Sequence, residues 1–325
     1  MSTEILPYKE PRALAGLGAK LPALFLPDEK TAERFFGFFT ANIRNPHTRR
    51  AYYKAACRFA EWCEGRGLSG LAAVKPVHVA AYIEALQAEL SKPSVKQHLA
   101  ALRMLFDWLV VGHAVEVNPA HAVRGPRYSQ KKGKTPVLDR EEARALIESI
   151  DTGSLTGLRD RALIATMIYT FARVSAVLHL NVRDYYSQGR RGWLRFHEKG
   201  GKELEAPCHH KLERYLDEYI AAAGIAADKD GPLFRTTGRS TGIPRRMVQK
   251  DAYKVIERRA KQAGIKTKIG NHSLRATGIT DYLKSDGSSL SKAREMANHS
   301  DSRTTQLYDR RADVASIGEY EKVGI

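Results

Sequence analysis

Cysteine is scarce in this sequence. Cys57, Cys63 and Cys208 are its only ones in 325 residues, too few and too irregularly spaced for a disulfide framework or a C-x-x-C metal clip. They read as small buried hydrophobes in a reducing compartment. No apolar run approaches the length of a membrane span, and the first residues lack the basic-then-apolar order of a secretory signal. The expectation is a cytoplasmic protein with no membrane partner. Paired histidines at metal-binding spacing are lacking too: His209 and His210 are adjacent rather than four apart, so they do not converge on one ion. No metal and no other cofactor is expected. Internal repeats and low-complexity tracts are absent.

What the sequence has in excess is positive charge, +17 from 53 lysines and arginines against 36 acids. Such a surface attracts polyanions and makes nucleic acid the leading partner, although ribosome-associated, chromatin and RNA-modifying proteins share that balance. The length favours two domains. Residues 1–28 mix glycine, alanine and proline without a sustained period, the pattern of an extended arm with little structure. Residues 29–123 read as helical. Asn45-Pro46 is an N-cap followed by proline at the first helical position, and it opens a helix whose Tyr52, Ala55, Phe59 and Trp62 share a face. Arg50, Lys54 and Arg58 lie one helical step apart on a different stripe. A second segment carries Val79, Tyr82, Ile83 and Leu86, and a third carries Val95, Leu99, Leu102, Phe106 and Leu109. Together they predict a small helical bundle whose basic stripe is either a solvated face or a grip on DNA.

A basic connector, 124–135, begins RGPRYSQKKGK, with five cations and no acid. The candidate DNA contacts are Arg49, Arg50, Lys54, Arg58, Lys96, Arg103, Arg124, Arg127, Lys131, Lys132 and Lys134. In the second domain, 136–325, Asp139 and Glu142 make a capping box, and 139–181 reads as two or three helices. Segments 193–197 and 203–206 flank Lys199-Gly200-Gly201-Lys202, a turn signal for a β-hairpin. Beyond Pro207 the pattern is helical again, with breaks near Gly231-Pro232, Gly270 and Asp286-Gly287. The fold expected is mainly α with a small antiparallel β-sheet.

This second domain contains, in order, Arg173, Lys199, His272, Arg275, His299 and Tyr308. Each has an ordinary structural explanation when taken alone. Arg173 interrupts the apolar run 165–180 and needs an anionic partner, supplied by the protein or by a ligand. Lys199 stands at a glycine turn, where lysines are usually solvated. His272 and Arg275 are three apart in a helical segment and share a face. His299 reads as a neighbour of a helix cap, and Tyr308 as a core aromatic.

As a set, they suit the attack of a phenol on a DNA phosphodiester. A tyrosine of pKa about 10 is hardly ionised at neutral pH and needs a base or a positive field. His272 supplies the first, the arginines the second. Two guanidiniums, Arg173 and Arg275, match the non-bridging oxygens of the transition state without a metal. Lys199 suits protonation of the leaving 5′ oxygen. Most phosphodiester hydrolysis uses carboxylate-bound ions, but no Asp/Glu cluster at ligand spacing accompanies these cations.

At this point the chain resembles the tyrosine recombinase and integrase family, over nearly everything after residue 30. Ala172-Arg173-Val174-Ser175 followed by Leu178-His179-Leu180 resembles the segment of the family's first arginine. Glu198-Lys199-Gly200-Gly201-Lys202-Glu203 resembles its lysine hairpin and selects Lys199 over Lys202. His272-Ser273-Leu274-Arg275-Ala276-Thr277 is similar to the H-x-L-R step, and Asn298-His299-Ser300 through Thr305-Gln306-Leu307-Tyr308 to the closing element, with the family's separation of nine between His299 and Tyr308. In the first half, the run 45–52 with Phe59, Trp62 and 102–109 is similar to the core-binding domain.

The resemblance implies a helical, SAM-like core-binding domain joined to an α+β catalytic domain, the two clamping double-stranded DNA. It implies a 3′-phosphotyrosyl intermediate on Tyr308, strand exchange without metal or ATP, and a tetramer on two DNA sites in which a C-terminal segment docks on a neighbour; residues 317–325 are either that segment or a helix packed on its own domain. The expected place is then the nucleoid. Two departures stand out: Ala176 replaces the carboxylate common three residues after the first arginine, and Asn298 replaces glycine before the second histidine. Competing readings are a type IB topoisomerase-like enzyme and a DNA-binding relative that has lost catalysis, which Ala176 motivates. The target site, accessory DNA-bending proteins, and the choice among integration, excision and resolution are not legible from the sequence.

Overall fold

Local capping rules account for where the helices of the first domain begin. The computed structural model describes residues 23–130, 133–197, 203–237, 244–310 and 322. Asp28 opens α1 (Glu29–Gly37), its carboxylate accepting from Thr31 N at 2.8 Å and from the Thr31 hydroxyl at 2.9 Å. Asn45 opens α2 (Pro46–Glu64) by accepting from His47 and Thr48, with Pro46 where a missing N–H costs nothing. The unit is completed by α3 (Pro76–Glu89) and α4 (Lys92–Val111).

Val79, Tyr82, Ile83 and Leu86 of α3 and Val95, Leu99, Leu102, Phe106 and Leu109 of α4 are all buried, as their spacing predicts. The buried face of α2 is rotated by about one residue from the expected one. Tyr53, Ala56, Cys57, Ala60 and Cys63 point inward with Ala55 and Phe59, while Tyr52 and Trp62 stay at the half-buried rim. The reason is upstream: Phe35 and Phe39 pack edge-on against each other, and Phe39 meets Tyr53 edge-on at 5.3 Å. The same aromatic core recruits the end of the expected arm. Leu24 and Phe25 are fully buried in a single 3₁₀ turn, with Phe25 stacked on Phe35 at 4.7 Å. The expectation of little structure up to residue 28 therefore fails from residue 23 onward, and residues 1–22 lie outside the described residues.

The chain divides into two units, Met1–Ser129 and Gln130–Ile325, within the basic connector. In the second, Asp139 and Glu142 form a reciprocal capping box at the start of α5 (Arg140–Glu148). Then come α6 (Leu155–Tyr169) and α7 (Val174–His179). The sheet is antiparallel in the order β1 (Tyr185–Gln188), β2 (Arg191–His197), β3 (Glu203–Pro207). The hairpin of β2 and β3 matches the turn signal; β1 was not expected. Leu194 and Phe196 fill the inner face of β2, and Arg195 pairs with Glu205 across the outer one at 3.0 Å.

The remaining helices are α8 (His210–Ala223), α9 (Gln249–Gln262), α10 (Asn271–Lys284), α11 (Leu290–Met296) and α12 (Ser302–Gln306). Buried on nearly every side, α6 is the centre of this unit, and α8 and α10 pack on it. Gly278 lets α10 come close: a Cβ there would lie 2.1 Å from the Ile168 carbonyl and 2.9 Å from the Phe171 ring. That close approach sets how far Arg275, one turn earlier on α10, reaches toward the end of α6.

Candidate active site

Two helix C-termini and one helix N-terminal half converge around Arg275. The first is the end of α6, where Phe171 takes φ 55° and its carbonyl accepts from Arg275 Nη1. The second is the end of α11, where Asn298 takes φ 47°. There the Asn298 N–H donates to Glu295 O at 2.8 Å and the His299 N–H to Arg294 O at 3.0 Å, the two bonds of a Schellman cap. Such a cap requires a left-handed residue, which glycine adopts freely and asparagine better than most others. Asn298 thus does the conformational work of the glycine it replaces, and it turns His299 back over the helix end.

Arg275 is 3% exposed and also donates from Nη2 to Ala297 O at 2.6 Å and to His299 Nε2 at 2.7 Å. A guanidinium only donates, so His299 Nε2 is the accepting nitrogen and the ring proton resides on Nδ1, 2.9 Å from Thr305 Oγ1. Burial, then the positive charges of Arg275 and Arg173, push the imidazole down from its ordinary value to about 4. His299 is therefore neutral at physiological pH. Its ring stacks on that of Tyr308 with centroids 5.7 Å apart and planes at 9°.

Tyr308 follows α12 and is half-buried beside Phe171, Ile279, Leu283, Ala293 and Ala297. No hydrogen bond to its phenol oxygen occurs among the described residues; its bonds run through the backbone, with the Thr280 hydroxyl donating to Tyr308 O at 3.1 Å. Arg173 is the N-cap residue of α7, half-buried, and its Nη2 donates to Asn298 O at 3.4 Å. That carbonyl is a support for Arg173 that needs no carboxylate at 176, where Ala176 is buried in the core. His272 stands exposed in the first turn of α10, one helical step before Arg275. Arg173, Arg275, His299 and Tyr308 are thus brought together, with His272 on the same helix as Arg275. Lys199 lies outside the described residues, between the ends of β2 and β3. Thr305, which orients His299, was missed by sequence reasoning, since a threonine in a polar helix carries no local signal of such a bond.

The candidate DNA contacts sort by exposure. Arg50, Lys54, Lys96, Arg124, Arg127 and Lys134 are exposed. Arg49 donates to Ile43 O at 3.1 and 2.8 Å, Arg58 pairs with Glu89 at 2.5 Å, and Arg103 donates to the carbonyls of Ala120 and Val123. Those last three are engaged by acceptors of the first unit itself. Lys131 and Lys132 lie outside the described residues, as do 317–321 and 323–325 of the expected docking segment. Among the described residues no group of histidine, cysteine, aspartate or glutamate is arranged to hold a metal ion, and no helix is long and apolar enough to cross a membrane.

Comparison with known proteins agrees with this architecture. Residues 136–314 match the phage integrase family, and residues 34–112 match the phage integrase N-terminal SAM-like domain. Tyrosine recombinase XerC of Pelobacter propionicus is 30% identical over 267 residues, covering 81% of this chain and 84% of the relative. Tyrosine recombinase XerD of Mycobacterium leprae is 29% identical, covering 81% and 86%. Among solved structures, XerH site-specific recombinase bound to palindromic difH substrate, in a post-cleavage complex, superposes with a TM-score of 0.69 at 21% identity, covering 86% of this chain and 80% of that one. A lambda integrase tetramer bound to a Holliday junction superposes with 0.63 at 16% identity, covering 83% and 76%. The SAM-like first half separates this chain from a topoisomerase-like reading: it belongs to the phage integrase family and is a site-specific tyrosine recombinase.

Proposed function

We propose that Tyr308 is the nucleophile with which this recombinase cuts double-stranded DNA one strand at a time. Its Oη attacks the scissile phosphorus, forming a P–O bond to tyrosine while the bond to the 5′ oxygen breaks. His272 takes the phenolic proton, and Lys199 gives one to the departing 5′ oxygen, which leaves as a hydroxyl. Arg173 and Arg275 bind the non-bridging oxygens as charge gathers there. Neutral His299 keeps Arg275 and the tyrosine ring in register. A 5′-hydroxyl from the partner strand then attacks the 3′-phosphotyrosine and releases Tyr308, so the bond energy is conserved and no nucleotide is consumed. The working assembly is a tetramer on two DNA sites, as the lambda integrase complex suggests by analogy. The observation that carries this reading is the Arg275–His299–Tyr308 arrangement, a buried cation and a neutral imidazole aligned on one phenol.

The test is covalent trapping on a library of randomised duplexes, each carrying a nick near its centre so that the short cleaved strand diffuses away. Wild-type protein is expected to form adducts that survive denaturing electrophoresis, and sequencing them yields the preferred site. Tyr308→Phe is expected to bind the recovered duplexes within about twofold of wild type and to form no adduct. An adduct that survives Tyr308→Phe would sink the nucleophile assignment, and no adduct on DNA that is demonstrably bound would sink the catalytic reading.

A further inference from the structure

The segment bearing Tyr308 is short, and most of what holds it comes from elsewhere. After the five residues of α12, the chain has spent its helical hydrogen bonds, and the C-terminal carbonyls of such a helix need outside donors. The Leu307 carbonyl receives one from the N–H of Gly133, at 3.0 Å. Two residues beyond the tyrosine, Arg310 Nη2 reaches back to the same stretch, donating to Thr135 O at 2.8 Å and to Gly133 O at 3.4 Å. Downstream, the Leu138 N–H donates to the Thr277 hydroxyl on α10 at 3.0 Å, which fixes the far end of this stretch to the helix that carries Arg275. Gly133 is forced by the geometry: a Cβ on it would lie 2.3 Å from the Leu307 carbonyl oxygen and 3.2 Å from its carbon, both backbone atoms.

We propose that the end of the basic connector, Gly133–Thr135, is a fastening for the nucleophile, with Gly133 and Arg310 as positioning residues that act through Leu307 on Tyr308. The proposal rests on the reading of Tyr308 as nucleophile and extends it to residues that no motif of the sequence singles out. Its physical basis is the sensitivity of in-line attack to placement: a shift of about 1 Å at the reacting atom costs roughly a hundredfold in rate. Neither residue is assigned any contact with DNA or with the reacting atoms.

Gly133→Ala, Arg310→Gln and Arg310→Lys in the full chain test this in two ways. Hydrogen exchange of the free protein needs no DNA. Arg310→Gln and Gly133→Ala are expected to speed exchange of the amides of Tyr308 and Asp309 about tenfold, the effect of losing one hydrogen bond against local opening, with α6 and α10 unchanged. On a duplex recovered by covalent trapping, both are expected to slow single-turnover adduct formation by roughly a hundredfold while the dissociation constant stays within about twofold. Arg310→Lys, which keeps a cationic donor, is expected to recover much of that rate. Unchanged exchange at Tyr308 overturns the fastening, as does a loss of DNA affinity in step with rate. If wild-type protein forms no adduct, the nucleophile reading fails, and the exchange measurement still decides whether the connector holds the segment.

Discussion

A neutral His299 has a cost that depends on pH, and its sign follows from where the proton sits. The unfolded chain binds it near the ordinary histidine pKa of about 6.5, whereas the folded one binds it only near 4. Between those values the unfolded state holds more protons, so the stability tied to this residue is present above about pH 6.5 and drains away as pH falls toward 4. Integrated to pH 4.5, the loss is about 2–3 kcal/mol. His299→Gln is uncharged throughout and is expected to lack this component. Urea unfolding followed by exchange of α10 amides at pH 7.5 and 4.5 reads the difference; equal losses in wild type and variant would show that His299 is not held neutral. Within the same cluster Asn298 shows why a residue outside the usual pattern works here. Its φ of 47° satisfies the Schellman cap, and its carbonyl meets Arg173 at 3.4 Å.

At the level of elements, the scaffold behind the site depends on one buried carboxylate. Asp160 on α6 is fully buried and meets Arg159 at 2.7 Å, Arg258 at 2.6 Å and Arg259 at 2.8 Å, the last two from α9. Removing the acid strands Arg159 and Arg259, whose side chains are only 7% and 11% exposed, although Arg258 still reaches water. Asp160→Ala is therefore expected to cost about 3–5 kcal/mol and to lower the melting temperature of the catalytic unit by roughly 10 °C. The control is Asp230→Ala, which breaks a pair to Arg183 whose side chains are 60% and 80% exposed, and which is expected to cost no more than about 1 kcal/mol. Equal melting shifts for the two would show that the Asp160 cluster is not what joins α6 to α9. None of this was legible in the sequence, where Asp160 sits next to one of its partners and about a hundred residues from the others. Elements set by neighbouring residues were legible: the Asn45 and Asp139 caps and the β2–β3 hairpin follow local rules. The strand β1 escaped because its four residues, Tyr185–Gln188, carry too little alternation, and only the positive φ of Gly189 after it marks the turn. The candidate set was readable for a different reason, since each of the tasks proposed for it can be performed by few residue types. How Thr305, Gly133 and Arg310 hold that set was not, because those bonds join residues far apart in the chain.

For the molecule as a whole, the charge of +17 says that DNA affinity will depend on salt, but not which cations supply it. The structure separates them. Arg103 is bound to the carbonyls of Ala120 and Val123 and serves the fold, whereas Arg124 and Arg127 are exposed on the connector. Each phosphate contact contributes about 0.9 to the slope of log affinity against log salt. Arg124→Ala together with Arg127→Ala is expected to reduce that slope by about 2 and to weaken binding to cognate and unrelated duplexes alike, since phosphates carry no sequence. Adduct formation at saturating DNA is expected to stay within about threefold of wild type, because neither residue is assigned a task in the chemical step. Arg103→Ala is expected to do the reverse, lowering the stability of the first unit while leaving the slope nearly unchanged. Titrations by fluorescence anisotropy between 50 and 200 mM salt, roughly the range over which counterion release is steepest in effect, measure both. A slope that is unmoved by the double substitution would remove the connector arginines from the DNA interface and leave the α2 stripe of Arg50 and Lys54 as the place to look.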